Sequence, residues 1–265
     1  MCFLCEFFKL SAGRTVAKIL LHFFRKAGIM SERAAACRLT CKQGKGINMN
    51  GVFEYLNMIT VNQHSSVRLF ASGKVLYVDP FDLPAAPKDA DVIFLTHSHF
   101  DHFSPKDIEK VCKPETVFVL PASMEAEAAQ TTRGHRIAAV GPSDLVVIDD
   151  LRFETVPAYN PKKPFHPREN AWVGYLLHAD GLRIYVAGDT DATEEAGAVC
   201  CDIAMLPIGG KYTMDAAEAA ALANRIRPQV VIPIHYGSVA GSPADFDRFA
   251  ALVDPAIRVH RVISV

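Results

Sequence analysis

The sequence predicts an α/β sandwich, two β-sheets packed face to face with helices outside, and three observations carry that expectation. The first is a pattern that occurs twice: short β-rich runs separated by turns, closing in an alternation of strand and helix. The second is "DVIFL", residues 91–95, an apolar run of the kind found in a strand buried on both faces. The third is size. A chain of 265 residues, 50% of them hydrophobic, is long enough for one large domain with a full core.

In chain order, "FEYLNMITV", "SVRLFA" and "VLYVDP" read as an opening antiparallel meander with Ser72 and Gly73 at a turn. "DVIFL" follows. A helix is expected from Ser104, because Ser104 can cap it, Pro105 suits its first position and Asp107 completes a Ser-x-x-Asp box. The runs "TVFVL", "RIAAV", "LVVID" and "LRFETVPA" alternate with a helix around "SMEAEAAQ". "AWVGYLLHA" and "LRIYVAG" join through Asp180-Gly181, a hairpin signal. The last third alternates strand "DIAML", loop "PIGGKYT", helix "MDAAEAAALANRI", strand "VVIPI", a helix from Ser242 to about Val253, and strand "IRVHRVI".

The overall balance of 28 basic against 29 acidic residues conceals an asymmetry. Residues 1–50 hold nine Lys and Arg against two Asp and Glu, which leaves 19 against 27 for the remainder. We therefore divide the chain into a basic N-terminal extension, 1–50, partly helical or poorly ordered, and a main domain, 51–265. In the extension, Val16, Ile19, Leu20, Phe23 and Phe24 recur at roughly helical spacing with Lys18, Arg25 and Lys26 between them. His22 and the cations after it stop the apolar run well short of the roughly 20 residues a membrane span needs. A packing helix or loose tail is favoured there over a membrane-surface anchor.

Seven cysteines without a regular framework argue for reduced thiols and a cytoplasmic compartment. Cys2, Cys5, Cys37 and Cys41 would make a zinc site only across an unusually long gap. The main domain is net acidic and has no basic stripe with interleaved aromatics, so no nucleic acid is expected. The expected partner is a small-molecule substrate, with homo-oligomerisation left open.

The stretch "LTHSHFDHFSP" concentrates His97, His99, Asp101 and His102 at a strand end. Alternate side chains of an extended segment point the same way, so His97 and His99 can grip one ion together, with Asp101 on their face. His102 lies at the turn into the helix, and one loop thus offers ligands to two ions, a donor set that suits zinc. Asp189 and His235 follow two other core strands at their carboxyl ends, where ligands are expected. Asp189 can bridge two ions through its two oxygens, and His235 can join Asp101 and His102 on the second. Two such ions, roughly 3.5 to 4 Å apart, share and activate a water.

This set, with Asp79 in "YVDP" before it, Asp189 in "GDTD" and His235 in "PIHYG", resembles the metallo-β-lactamase superfamily over about residues 52–264. The resemblance implies a four-layer αββα sandwich with a dinuclear metal cleft along one edge. Within the superfamily, "NQHSSVRL", "VPAYN", "FHP", "WVGYLL", "RIYVAGDTD" and "LPIGGKYTM" are similar to the L-ascorbate-6-phosphate lactonase-like branch of Zn-dependent hydrolases.

The likeness implies that His97 and His99 hold the first metal, Asp101, His102 and His235 the second, and that Asp189 bridges. Asp79 would orient a ligand imidazole from behind. The implied cofactor is Zn2+, two ions, with Mn2+ or Fe2+ as alternatives. His99 stands where di-iron redox members usually carry glutamate, which favours hydrolysis. A third histidine for the first metal usually lies in the stretch that here reads "VPAYNP", and Asn160 stands in its place. Asn160 and His166 are both candidates to bind metal or substrate there, and whether His166 completes the site, or one ion binds loosely, is open at this point.

By the same likeness His64 faces the cleft as a substrate contact or proton donor. Gly209 and Gly210 would let backbone N–H groups approach an anion at a helix N-terminus near Thr213, with Lys211 adding charge. The expected activity is metal-dependent hydrolysis of a small, anionic ester, lactone or phosphoester by a metal-bound hydroxide, with Asp101 and His64 as the catalytic pair. The rivals are a lipid-directed phosphodiesterase of the same superfamily and a non-catalytic metal-binding sensor.

Overall fold

A computed structural model describes residues 49–263, and two mixed sheets form its centre. Helix α1 (Met49–Tyr55) leads into a six-stranded sheet: β1 (Ile59–Val61), β2 (Val67–Ala71), β3 (Lys74–Val78), β4 (Ala90–Phe94), β5 (Cys112–Pro121) and β6 (Arg136–Val140). Seven strands make the second sheet: β7 (Leu145–Ile148), β8 (Leu151–Pro157), β9 (Val173–Ala179), β10 (Leu182–Val186), β11 (Ile203–Pro207), β12 (Val230–Ile234) and β13 (Arg258–Val259). In both, spatial order follows chain order. Each sheet opens antiparallel, through β3 in one and β10 in the other, and then turns parallel.

Parallel neighbours need crossovers, and helices lie in four of the six among the described residues. The helix α2 (Pro105–Val111) joins β4 to β5, α3 (Glu125–Ala128) lies between β5 and β6, α4 (Ala216–Ile226) joins β11 to β12, and α5 (Ala244–Leu252) joins β12 to β13. The central strands of the first sheet, β3 to β5, are buried on both faces with a period of two. Leu76, Val78, Val92, Phe94, Val117 and Val119 belong to the large core cluster between the sheets. Their neighbours Tyr77, Ile93, Phe118 and Leu120 belong to a second cluster with Ile108 and Val111 of α2. The architecture is the expected sandwich.

Three local expectations fail for identifiable reasons. "FEYLNM" is helix and 3-10 turn, not strand, because Val52, Tyr55, Leu56 and Ile59 bury one face at spacings of three and four; strand begins at Ile59. The Ser104 box does not form: Ser104 Oγ donates to Asp107 Oδ2 at 2.7 Å, while the Asp107 carboxylate accepts the N–H groups of Asp82 and Leu83. The helix expected from about Thr213 starts at Ala216, where Asp215 accepts from the N–H groups of Ala217 and Glu218, and the Glu218 side chain accepts from the Asp215 N–H.

Cys112 and Cys201 lie outside any disulfide, whereas Cys200 is disulfide-bonded, so the reading of every cysteine as reduced does not hold there. That removes part of the basis for a cytoplasmic compartment. Among the described residues no helix is long and apolar enough to cross a membrane. The amphipathic stretch around Val16–Phe24 and the four N-terminal cysteines lie outside the described residues.

The sheets are stitched together at one edge. The Tyr175 hydroxyl, on β9, donates to Leu95 O beyond β4 at 2.6 Å, and the Val173 N–H donates to Thr96 O at 3.3 Å. Tyr175→Phe should therefore lower the urea midpoint by the equivalent of about 1 to 2 kcal/mol, the scale of a lost buried hydrogen bond. An unchanged midpoint would show that the bond contributes nothing across the sheets.

Candidate metal centre

Four strand ends converge on that stitched edge. The chain leaves β3 at Asp79, β4 at Thr96 and His97, β10 at Gly188 and Asp189, and β12 at His235. Asp79 (φ 47°), His235 (φ 58°) and His64 (φ 55°), in the β1–β2 connection, all adopt left-handed backbone. Non-glycine residues carry a cost of order 1 kcal/mol or more in such geometry, so surrounding contacts must hold them. The His235 N–H donates to His64 O at 2.9 Å. Gly209 passes so close that a Cβ there would stand 2.3 Å from His235 O.

The side chains gather in two groups, His64 with Asp101, His102 and His235, and His97 with His99, His166 and Asp189; within each, one candidate ligand atom per residue lies within 4.8 Å of the others. Asp189 reaches both. Its Oδ1 is 3.2 Å from His102 Nε2, and its Oδ2 is 3.0 Å from His235 Nε2, 3.3 Å from His166 Nε2 and 3.9 Å from His97 Nε2. Every member but His99, which is partly exposed, is buried.

Hydrogen bonds behind the rings set which nitrogen faces inward. The His102 Nδ1–H donates to Asp79 Oδ2 at 2.7 Å. Thr96 Oγ1 gives its proton to the same oxygen at 2.6 Å, which leaves it to accept from His97 Nδ1–H at 3.0 Å. The His166 Nδ1–H donates to Asn160 Oδ1 at 2.6 Å, and the Asn160 N–H donates back to His166 O at 2.8 Å. His102, His97 and His166 thus turn Nε2 towards the centre.

Burial drives the His97 imidazole well below the ordinary histidine range and lowers His99, so both favour the neutral form that binds cations. For His102 burial acts the same way, but the carboxylates of Asp189 and Asp79 outweigh it and hold the ring well above that range. Asp189 mirrors this: burial would raise it, yet His235 and His102 keep it well below the carboxylate range. Asp101, likewise opposed by burial, is drawn down to about 2 by the His64 hydrogen bond and His102.

A divalent cation or a pair of them fits this donor set. Buried His102 Nε2, His166 Nε2 and Asp189 Oδ1 have no well-formed hydrogen bond in the interior. Such atoms are costly unless something positive lies between them. Nitrogen donors with a few carboxylates suit zinc.

Sequence reasoning and structure part company at three places. His64 does not face the open side of the cleft: it is fully buried beneath His235 at a ring separation of 3.8 Å, with Nε2 3.1 Å from Asp101 Oδ2 and Nδ1 3.2 Å from Ser238 Oγ. Burial lowers it to about 4, which disfavours it as a proton donor near neutral pH. The Gly209–Thr213 loop offers less to an anion than expected. The N–H groups of Gly210 and Lys211 bond to Met214 O and Gly209 O, Thr213 is buried, and the first turn of α4 is occupied by Asp215. Asn160, proposed as a ligand or a gap, points its amide oxygen at His166.

Thr96, Ser238 and Trp172 were not singled out in the sequence. The "LTHSH" context gives Thr96 no signal beyond adjacency, and the partners of Ser238 and Trp172 are remote in sequence. Trp172 packs with ring centroids 5.0 Å from both His97 and His99. Because Gly209 admits no Cβ beside His235, Gly209→Ala should reduce stability by about 1 to 3 kcal/mol in chemical denaturation. Native stability in that variant would mean that the loop can yield and that the close approach is incidental.

Residues 58–235 match the profile of the family described as Beta-lactamase superfamily domain. A UPF0173 metal-dependent hydrolase of Aeropyrum pernix is 31% identical over 72% of this chain and 88% of its own, and one from Anoxybacillus flavithermus is 29% identical over 77% and 96%. A solved structure described as a putative metal-dependent hydrolase from Parabacteroides distasonis superposes with TM-score 0.64 at 32% identity, over 78% of this chain and 93% of that one. The fold with its strand-end donors and these likenesses agree, and the chain belongs to the Beta-lactamase superfamily, alongside its metal-dependent hydrolases.

Proposed function

We propose that this metal-dependent hydrolase holds two divalent cations, Zn2+ or alternatively Mn2+ or Fe2+, and cleaves a small ester, lactone or phosphoester. The observation that carries the reading is Asp189, whose two oxygens lie against separate histidine groups with unpartnered buried atoms on either side. His97, His99 and His166 would hold one ion, Asp101, His102 and His235 the other, with Asp189 shared. Bound there, the cations would polarise the scissile group and acidify a water.

The rest of the work falls to the chain itself. Asp79 and Thr96 keep His102 and His97 in the ligating tautomer, Asn160 does so for His166, and His64 holds the orientation of Asp101. Trp172 and the buried strand ends limit water around the histidines. Exposed Lys211 is the cation that its loop offers to an anionic substrate. The catalytic domain is assigned to 51–265 with 1–50 as an extension.

Trp172 is the sole tryptophan of the chain, which makes its emission a direct reporter. Titrating metal-stripped protein with Co2+ should quench it, and two equivalents should saturate; a flat titration would remove the metal-centre assignment. Asp189→Asn should retain the fold but lose both equivalents in metal analysis and at least about a hundredfold in turnover of chromogenic esters. His166→Ala should lose one equivalent and about tenfold or more in rate, with partial recovery on adding Asn160→His. Two retained ions and full turnover in His166→Ala would assign the first site to other donors.

A further inference from the structure

Resting on the metal centre just described, we infer that the cleft takes a substrate with an apolar group adjoining its scissile bond, docked on a lip formed by Phe100 and Phe81. Phe100 is the most exposed large hydrophobic residue among those described, at 67%. Single exposed apolar residues are common, so exposure alone decides nothing. Position decides more. Phe100 lies between His99 of one histidine group and Asp101 of the other, in a turn closed by the N–H groups of His102 and Phe103 donating to His99 O at 2.9 and 2.7 Å. The turn thus fixes an exposed ring beside both sets of ligands.

The ring is not isolated. It meets Phe81 edge to face at a centroid separation of 6.1 Å, and Phe81 in turn meets the His64 ring at 6.5 Å. Phe81 is anchored by its N–H donating to Ser66 Oγ at 3.1 Å. Val239, 38% exposed, follows Ser238, whose hydroxyl touches His64. Against the other histidine group stands Trp172. Aromatic and aliphatic carbon therefore borders the centre on both sides.

Charge does not compete for the same substituent. Lys163 is engaged, its Nζ donating to Asp191 Oδ1 at 2.6 Å and to Thr213 O at 2.7 Å. The neighbouring glycine loop directs the Gly210 and Lys211 N–H groups into itself. A carbonyl or phosphoryl oxygen placed between the two histidine groups would carry its substituent out past the turn that bears Phe100. Apolar surface buried against that ring is favourable in proportion to its area.

The test compares acids that share a carboxylate and differ only in apolar length. In calorimetric titrations of zinc-loaded full-length protein, hexanoate should bind at least about tenfold more tightly than acetate, about half of what four fully buried methylenes would give on a logarithmic scale. Phe100→Ser should collapse that ratio to near one, and Phe100→Leu should keep most of it. Phe70→Ser, at a 42% exposed phenylalanine on β2, should leave the ratio as it is. The same ratios should appear in kcat/KM for γ-nonalactone against γ-butyrolactone. Equal affinities, absence of binding by either acid, or a ratio indifferent to Phe100→Ser would overturn the lip. If the acid preference holds and depends on Phe100 while neither lactone turns over, the lip stands and the lactone reading of the activity fails. Equal lactone turnover with no Phe100 dependence would retain the hydrolase and discard the lip.

Discussion

An imidazole can aim one nitrogen at an ion, and this cleft depends on what holds the other. Buried histidines with no partner behind the ring would be free to flip or change tautomer, and several of them so close together would repel when protonated. Here one buried carboxylate does most of the holding. Asp79 accepts from Thr96 N–H at 2.8 Å, from Thr96 Oγ1 and from His102 Nδ1–H, and the Thr96 hydroxyl passes the constraint on to His97. A single oxygen thereby sets two rings that belong to different groups. The same carboxylate terminates β3, so the position of the ligands is tied to the first sheet.

Strand geometry explains why these groups can meet at all. Parallel strands deliver their carboxyl ends to one edge, and here β4, β10 and β12 each end in a residue aimed at the centre. To aim it, the backbone must turn at once, and Asp79 and His235 do so through left-handed conformations that hydrogen bonds and close packing maintain. The cost is met locally by contacts between the sheets: His235 N–H to His64 O, Val173 N–H to Thr96 O, Tyr175 hydroxyl to Leu95 O. Stability and site geometry are therefore coupled at this edge, because removing a cross-sheet bond loosens the elements that carry the ligands.

The cluster around His97 was legible because ligands adjacent in sequence keep a register that extended backbone converts into direction. Asp189 and His235 were legible through the ends of apolar runs. The sandwich could be read from two β-rich sets that each pass into alternation with helix. What escaped the sequence depends on contacts across long separations. Ser238 meets His64 across 174 positions, and Trp172 meets His97 from the other sheet. His64 was expected at the open cleft from the family resemblance, yet it lies under His235. The glycine loop was read as an anion cradle because glycines permit one, but which backbone donors are already engaged is a property of the folded loop. "FEYLNM" was read as strand from its β-prone residues, although its buried positions follow a helical period.

Under the proposed reading, Asn160 is a departure in sequence that would leave the chemistry intact by moving a donor in space to His166. An amide cannot replace imidazole as a strong zinc ligand, but its carbonyl oxygen can do for His166 what Asp79 does for His102. The two arrangements differ in support. His97, Asp189 and His235 follow closely on strand ends and Asp101 and His102 sit in the turn before α2, whereas His166 enters from the longer β8–β9 connection, between Pro164 and Pro167 and secured to Asn160 by two hydrogen bonds. The prolines limit the unfolded alternatives of that connection, and the amide limits the folded ones. Even so, a loop-borne ligand has fewer sheet hydrogen bonds behind it than a strand-end ligand. On the proposed two-ion reading, the group containing His166 would for that reason be the softer half, where substitution in the loop would act first on affinity rather than on fold.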